Sequence, residues 1–199
     1  MPKAPRIKTA VLISGRGSNM VSLVKAAQAD DFPAEIVLVI SNRPKAAGLE
    51  KANALGVQSL VIDHKAFKSR RAFEMALDSV LRQAGIDLIC CAGFMRVLSA
   101  DFVASRSDRI LNIHPSLLPK YKGLNTHQRA LDAGDSHHGA SVHFVTAELD
   151  GGRVISQTKI DIRPDDTPDS LAARLLPLEL ALYPAALRKV ARELKSSKI

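Results

Sequence analysis

From Thr9 onward the chain alternates short apolar blocks with longer amphipathic stretches. The blocks TAVLIS, EIVLVI, QSLVID, DLICCA and RILNI open at Thr9, Glu35, Gln58, Asp87 and Arg109. They are rich in leucine and β-branched residues and mostly bounded by Gly, Pro, Asn or Asp, the signature of strands. Between them, residues 20–29, 46–55 and 69–84 carry apolar side chains at helical spacing, with Phe73, Ala76, Leu77, Val80 and Leu81 on one face of the last. Strand and helix in alternation predict an α/β fold: a mainly parallel, Rossmann-like twisted sheet flanked by helices. Ligands of such a sheet gather beyond the carboxyl ends of its strands.

The pattern changes after His114. Pro115 and Pro119 interrupt regular structure, a helix is expected over 126–133, and β-type segments at 140–146 and 154–162 are close enough to pair as an antiparallel hairpin. A terminal block, 167–194, is helical in composition but contains Pro177 and Pro184. A kinked or broken helix is expected there, with Pro184 as a boundary. No linker or repeat divides the chain, so one domain over 1–199 is expected, with flexible ends at 1–7 and 196–199.

Composition narrows the class. With 199 residues and 46% hydrophobic content the chain can fill a substantial core, and no apolar run approaches the ~20 residues of a membrane span. A soluble cytoplasmic protein is expected, with no membrane partner. Lys and Arg exceed Asp and Glu by 28 to 20, a formal +8, and part of the excess lies at the ends: Lys3, Arg6, Lys8, Arg188, Lys189, Arg192, Lys195 and Lys198. Solvated basic faces explain this, and attraction of anionic small molecules or nucleic acid is the sharper alternative. Two Tyr, six Phe and no Trp leave few stacking platforms, which disfavours single-strand binding. The only cysteines, Cys90 and Cys91, are strand neighbours that point to opposite faces and read as buried thiols. Without further cysteines a zinc framework is unsupported.

Two segments carry the chemistry. LNIHPSLLPKYKG, at 111–123, sets Asn112 and His114 at the end of a strand, and HGASVHFVTAELDGG, at 138–152, ends in Asp150 before two glycines. An amide donor suits a developing oxyanion, a histidine moves protons near neutral pH, and a carboxylate beside it favours the imidazolium. Asn112, His114 and Asp150 are therefore the candidate catalytic set, suited to acyl transfer, although His114 alone could be a hydrogen-bonded structural residue. Ser116 lacks a G-x-S-x-G elbow and is a weaker nucleophile. His64 and His127 read as surface or capping residues, and His137 and His138 as turn residues beside Gly139. His143 packs or hydrogen-bonds beside the site. At the other end, Ser14-Gly15-Arg16-Gly17-Ser18-Asn19 joins the first strand to a helix. Its glycines and the helix N-terminus suit a phosphate, and a tight turn capped by Ser18 or Asn19 is the structural alternative.

With these motifs the chain resembles the folate-dependent formyltransferases, from about Lys8 to Pro184. NIHPSLLP is common to that superfamily. The G-x-G-S-N loop at Gly15, SNRPKAAGLE from Ser41, AGFMRVLS from Ala92 and HGASVHFV with ELDGG narrow the likeness to the glycinamide ribonucleotide formyltransferases. The resemblance implies transfer of a formyl group from 10-formyltetrahydrofolate, a co-substrate, to the primary amine of 5-phosphoribosylglycinamide in purine biosynthesis. It places Gly17, Ser18, Asn19 and Glu179 on the acceptor, and Arg70, Met95, Arg96, Val97, Leu98 and Asn112 on the folate. It also matches Asn112, His114 and Asp150 to the family's catalytic residues. No metal or nucleic acid is implied, and the protein is expected to be a monomer or homodimer. Two positions depart from the family pattern: Asn125, where histidine is common, and Leu176, where glutamine is common. A formyltetrahydrofolate hydrolase, with water in place of the amine, is the alternative within the superfamily.

Overall fold

The computed structural model describes residues 5–196, and within them the five apolar blocks become β1 (Ile7–Ile13), β2 (Ala34–Ser41), β3 (Gln58–Val61), β4 (Leu88–Cys91) and β5 (Ile110–His114). The helices between them are α1 (Ser18–Ala27), α2 (Gly48–Ala54), α3 (Arg70–Gln83) and the short α4 (Ala100–Ala104), which periodicity over five residues could not reveal. Next come α5 (Thr126–Asp132), β6 (His137–Phe144), β7 (Val154–Asp161) and the terminal α6 (Pro168–Ser196). The sheet runs β3-β2-β1-β4-β5-β6-β7. Its first five strands are parallel, while β6 pairs antiparallel with β5 and with β7. The predicted sheet and hairpin are both present.

Two apolar layers enclose the sheet because strand side chains alternate. Val11, Cys90, Leu111 and Val142 face the layer containing Leu23, Tyr183 and Leu187 of α1 and α6. Ala10, Leu12, Cys91 and Ile110 face Phe73, Leu77 and Phe102 of α3 and α4. The adjacent cysteines thus point into opposite layers. Burial pushes the Cys91 thiol up to about 12 and Cys90 higher, so both are inert packing residues.

Four expectations need correction. First, Ile7 opens β1 and is 3% exposed, so it is no part of a flexible end; residues 1–4 and 197–199 of the expected ends lie outside the described residues. Second, α6 continues through both Pro177 and Pro184. An interior proline costs about 3 kcal/mol, but burial of each Leu171, Leu175, Leu187 or Val190 side chain stabilises by ~1.5–3 kcal/mol, so packing outweighs local propensity. Tyr183, fully buried, adds an anchor: its hydroxyl lies 3.0 and 3.1 Å from the carbonyl oxygens of Cys91 and Leu111. Third, His137 and His138 are not in a turn but begin β6, and Gly139 follows them inside the strand. A Cβ on Gly139 would lie 2.1 Å from the Thr158 carbonyl oxygen across the hairpin. Fourth, Gly17, with φ 72°, occupies the N-cap of α1, and no side-chain cap from Ser18 or Asn19 is made there.

Because the strand order reverses at β1, its carboxyl end and that of β4 border a crevice. The loops that follow β1, β4 and β5 all emerge on that edge.

Candidate active site

Strand alternation in β5 sends Leu111 and Ile113 into one apolar layer and leaves Asn112 and His114 together on the opposite face. Antiparallel pairing then sets His143 of β6 directly across from Asn112. Asn112 Nδ2 lies 3.2 Å from His143 Nε2, while His143 Nδ1 donates to the Phe144 carbonyl at 2.8 Å. The Phe144 carbonyl takes the Nδ1 proton, and Nε2 stands between the Asn112 amide and the Asp150 carboxylate; the Asn112 amide turns one N–H toward the ring and leaves the second available.

Asp150 reaches this cluster from the turn after β6. Its φ is 48°, and Gly152 behind it must be glycine, since a Cβ there would stand 1.8 Å from the Phe144 carbonyl oxygen. Asp150 Oδ2 accepts the Gly123 amide at 2.9 Å and lies 3.4 Å from His114 Nδ1; Oδ1 lies 3.5 Å from His143 Nε2. Burial alone would raise its pKa, but the hydrogen bond from His143, the Gly123 amide and the charges of the two rings outweigh burial and hold the carboxyl below its ordinary value.

His114 is 5% exposed. Its Nε2 stands 2.8 Å from the Tyr121 carbonyl oxygen and its Nδ1 faces Asp150. A carbonyl and an ionised carboxylate can only accept, so a ring carrying a proton on each nitrogen satisfies both sides. The site thus sets an imidazole between two acceptors, beside an amide and in front of a carboxylate.

A second histidine pair lies close by and escaped the sequence reading. His138, 1% exposed, has Nε2 3.0 Å from His127 Nδ1, and the rings meet edge to face with centroids 4.9 Å apart. Burial first, then the neighbouring His127, pushes the His138 pKa down to about 4 despite a bond to the Pro115 carbonyl. His127 is therefore more than a surface cap. His64 is also partly buried, with Nδ1 2.9 Å from the Asn42 carbonyl oxygen.

Across the crevice, the loop after β1 is shaped by close backbone contact. A Cβ on Gly17 would lie 2.8 Å from Gly48 Cα, and the Gly48 amide donates to the Gly15 carbonyl at 3.0 Å. The loop delivers unpaired N–H groups of the first turn of α1 to its mouth. Asn19 Nδ2 donates to Glu179 Oε2 at 2.9 Å, joining this loop to α6, while Asn19 Oδ1 is buried without a partner. Burial raises the Glu179 pKa, and the Asn19 bond opposes that only in part. Leu176 lies one turn earlier, half-buried, and offers no hydrogen bond. Asn125 takes the left-handed conformation, φ 58°, at the start of α5, which asparagine tolerates better than most residues.

The segment after β4 is a third surface. Met95 and Val97 are 57% and 56% exposed although apolar, Arg96 is also exposed, and Leu98 turns inward. An exposed apolar strip beside a polar crevice is a surface on which a flat, partly apolar ligand can settle. Arg70 is exposed at the first position of α3 and, among the described residues, makes no hydrogen bond to the rest of the site.

The chain resembles known proteins along most of its length. Residues 7–187 match the family of formyl transferases. The phosphoribosylglycinamide formyltransferase of Escherichia coli strain K12 is 45% identical over 174 residues, covering 87% of this chain and 82% of that protein. The crystal structure of the phosphoribosylglycinamide formyltransferase of Brucella melitensis superposes with a TM-score of 0.90 at 49% identity, covering 94% of this chain and 96% of that one. The trifunctional purine biosynthetic protein adenosine-3 of Bos taurus is 45% identical over 96% of this chain, which spans only 19% of that protein.

Proposed function

The chain belongs to the formyl transferase family, among relatives named phosphoribosylglycinamide formyltransferase, and we propose that it transfers the formyl group of 10-formyltetrahydrofolate to the primary amine of 5-phosphoribosylglycinamide. The products are the N-formylglycinamide ribonucleotide and tetrahydrofolate. The observation that carries the reading is His114 held between two acceptors beside the Asn112 amide, with Asp150 as one of them.

The residues divide the work by position. Backbone groups of Gly17, Ser18 and Asn19 hold the acceptor's phosphate at the head of α1, and Glu179 receives the glycinamide end. Met95, Arg96, Val97 and Leu98 line the folate side, with Arg70 near its acidic tail. With both substrates seated, the neutral amine attacks the formyl carbon, and negative charge grows on the formyl oxygen. The second N–H of Asn112 and the positive ring of His114 stabilise that charge. Asp150 keeps the ring protonated and assists the proton's passage from the attacking nitrogen to the departing folate nitrogen. The amine loses a proton and gains the C–N bond as the old C–N bond breaks, so neither a covalent enzyme intermediate nor a metal is required. Holding two reactants together supplies much of the acceleration. On this reading the protein acts in the cytoplasm on two small molecules, as a monomer or homodimer, with no nucleic-acid or membrane partner.

The test is tetrahydrofolate release from 10-formyltetrahydrofolate with and without 5-phosphoribosylglycinamide. Release that depends on the amine supports the transferase. Equal release without it would make the protein a hydrolase.

A further inference from the structure

The exposed strip at 95–97 is fastened at both ends by buried polar side chains that touch none of the reacting groups. At its start, the Met95 amide donates to Ser14 Oγ at 2.8 Å. Ser14 Oγ sends its only proton to Asn42 Oδ1 at 2.5 Å, so the direction of the Met95 bond is forced. His64 Nδ1 holds Asn42 in turn, lying 2.9 Å from its carbonyl oxygen and 3.1 Å from its side-chain nitrogen and making one of these two bonds according to the ring's tautomer. The chain of bonds thus crosses the carboxyl ends of β3, β2, β1 and β4. At the far end, Glu74 of α3 accepts both the amide and the hydroxyl of Ser99, at 2.7 and 2.5 Å. Ser14, Asn42 and Glu74 are 4%, 1% and 6% exposed.

Ser99 is both the residue that follows the strip and the N-cap of α4, where its hydroxyl accepts the Phe102 amide at 3.2 Å, so Glu74 fixes the point at which the strip enters that helix; Asp78 of α3 separately reaches Arg106, beyond α4, at 2.6 Å. A buried carboxylate costs stability unless it is fully used, and here both its oxygens are spent on the residue that ends the strip. We propose that Ser14 and Glu74 are positioning residues that hold segment 95–98 in the geometry that receives the formyl donor. The proposal rests on the donor-side reading given above. A strip fixed at both ends loses little freedom when a ligand settles on it, which favours binding without adding a contact.

The experiment compares Ser14→Ala, Glu74→Ala and Glu74→Gln with wild type by calorimetric titration of tetrahydrofolate, by the Michaelis constants of both substrates, and by Tm. Loss of an anchor leaves a polar backbone group unpaired, so each alanine variant is expected to weaken tetrahydrofolate binding and raise the donor's constant about tenfold. The acceptor's constant and turnover at saturation stay within about twofold of wild type. Glutamine can still meet both Ser99 groups, so Glu74→Gln recovers most of the loss. Ser99→Ala carries the test if Glu74→Ala does not fold. Unchanged tetrahydrofolate binding in the variants overturns the inference, as does a rise of both substrate constants together, which marks a general structural role. A wild type that binds no tetrahydrofolate overturns the donor-side reading itself.

Discussion

The two halves of the sheet contribute to the site by different physical means. In the parallel half, β1 ends in a loop whose shape is set by backbone packing: Gly17 against Gly48, and a helix whose first turn faces the crevice. In the antiparallel half, the cross-strand register of β5 and β6 brings Asn112 to His143, and the turn beyond β6 returns Asp150 to His114. The first half offers N–H groups and a helix terminus, which suit recognition of a fixed anion. The second offers groups that can carry or stabilise charge as bonds change. Binding and chemistry are therefore separable, and substitutions in the two halves should act on different kinetic constants.

The largest effect is expected in the antiparallel half. Asp150→Asn removes the charge that favours the His114 imidazolium and should lower turnover by ~10² to 10⁴, with little change in either Michaelis constant; stopped assays at saturating substrates read this directly. Asn112→Ala removes an oxyanion donor and should cost about 3 kcal/mol in the barrier, again in turnover. A variant with unchanged turnover would make Asn112 a structural partner of His143 only.

Smaller effects, on binding, are expected in the parallel half and on α6. Glu179→Gln replaces a charge-assisted acceptor and should raise the acceptor's Michaelis constant by about tenfold or more, from ~1.5–3 kcal/mol for such a bond. An acceptor constant indifferent to Glu179 would place the amine elsewhere. Gly17→Ala adds a Cβ where φ is 72° and Gly48 Cα is 2.8 Å away, so a loss of about 1 kcal/mol or more in stability and weaker acceptor binding follow. Inorganic phosphate should compete with the acceptor in the wild type and compete less well in this variant.

The smallest effect on turnover is expected at the His138 and His127 pair beside His114, where the readout is stability. The His138 pKa is about 4 in the fold against an ordinary 6.5, so the unfolded chain binds more protons between those values. Stability is therefore insensitive to this group above about pH 6.5 and falls as pH drops toward 4, by roughly 1–3 kcal/mol. His138→Gln should flatten that part of the pH profile of Tm. An identical slope in the variant would assign it to other groups.

The same contrast explains what the sequence disclosed. The parallel half was legible because its signals are local: apolar blocks, helical spacing, and glycines at a strand-to-helix turn. The candidate triad was legible in Asn112 and His114, two residues apart on one strand, and in Asp150 at a turn of glycines. The partnership of His143 with Asn112 was not, because it depends on the register between β5 and β6, which alternation within one strand leaves open. His138 was assigned to a turn beside Gly139, yet that glycine serves the close approach of β7. The continuous α6 was missed for a related reason: Pro177 and Pro184 are strong local signals, whereas the buried face that overrides them, with Tyr183 reaching the ends of β4 and β5, is tertiary. Ser14 belonged to the candidate phosphate loop, Asn42 to the motif SNRPKAAGLE and Glu74 to a helix with no assigned role, and only the fold brings them to segment 95–99.

The separation of chemistry from binding is tested most directly by single-turnover rates at saturation of both substrates, measured for Asp150→Asn beside Gly17→Ala. The account predicts that Asp150→Asn is slowed by ~10² or more, while Gly17→Ala, once saturated, reacts at nearly the wild-type rate. A wild-type rate for Asp150→Asn under those conditions would contradict the role assigned to the antiparallel half.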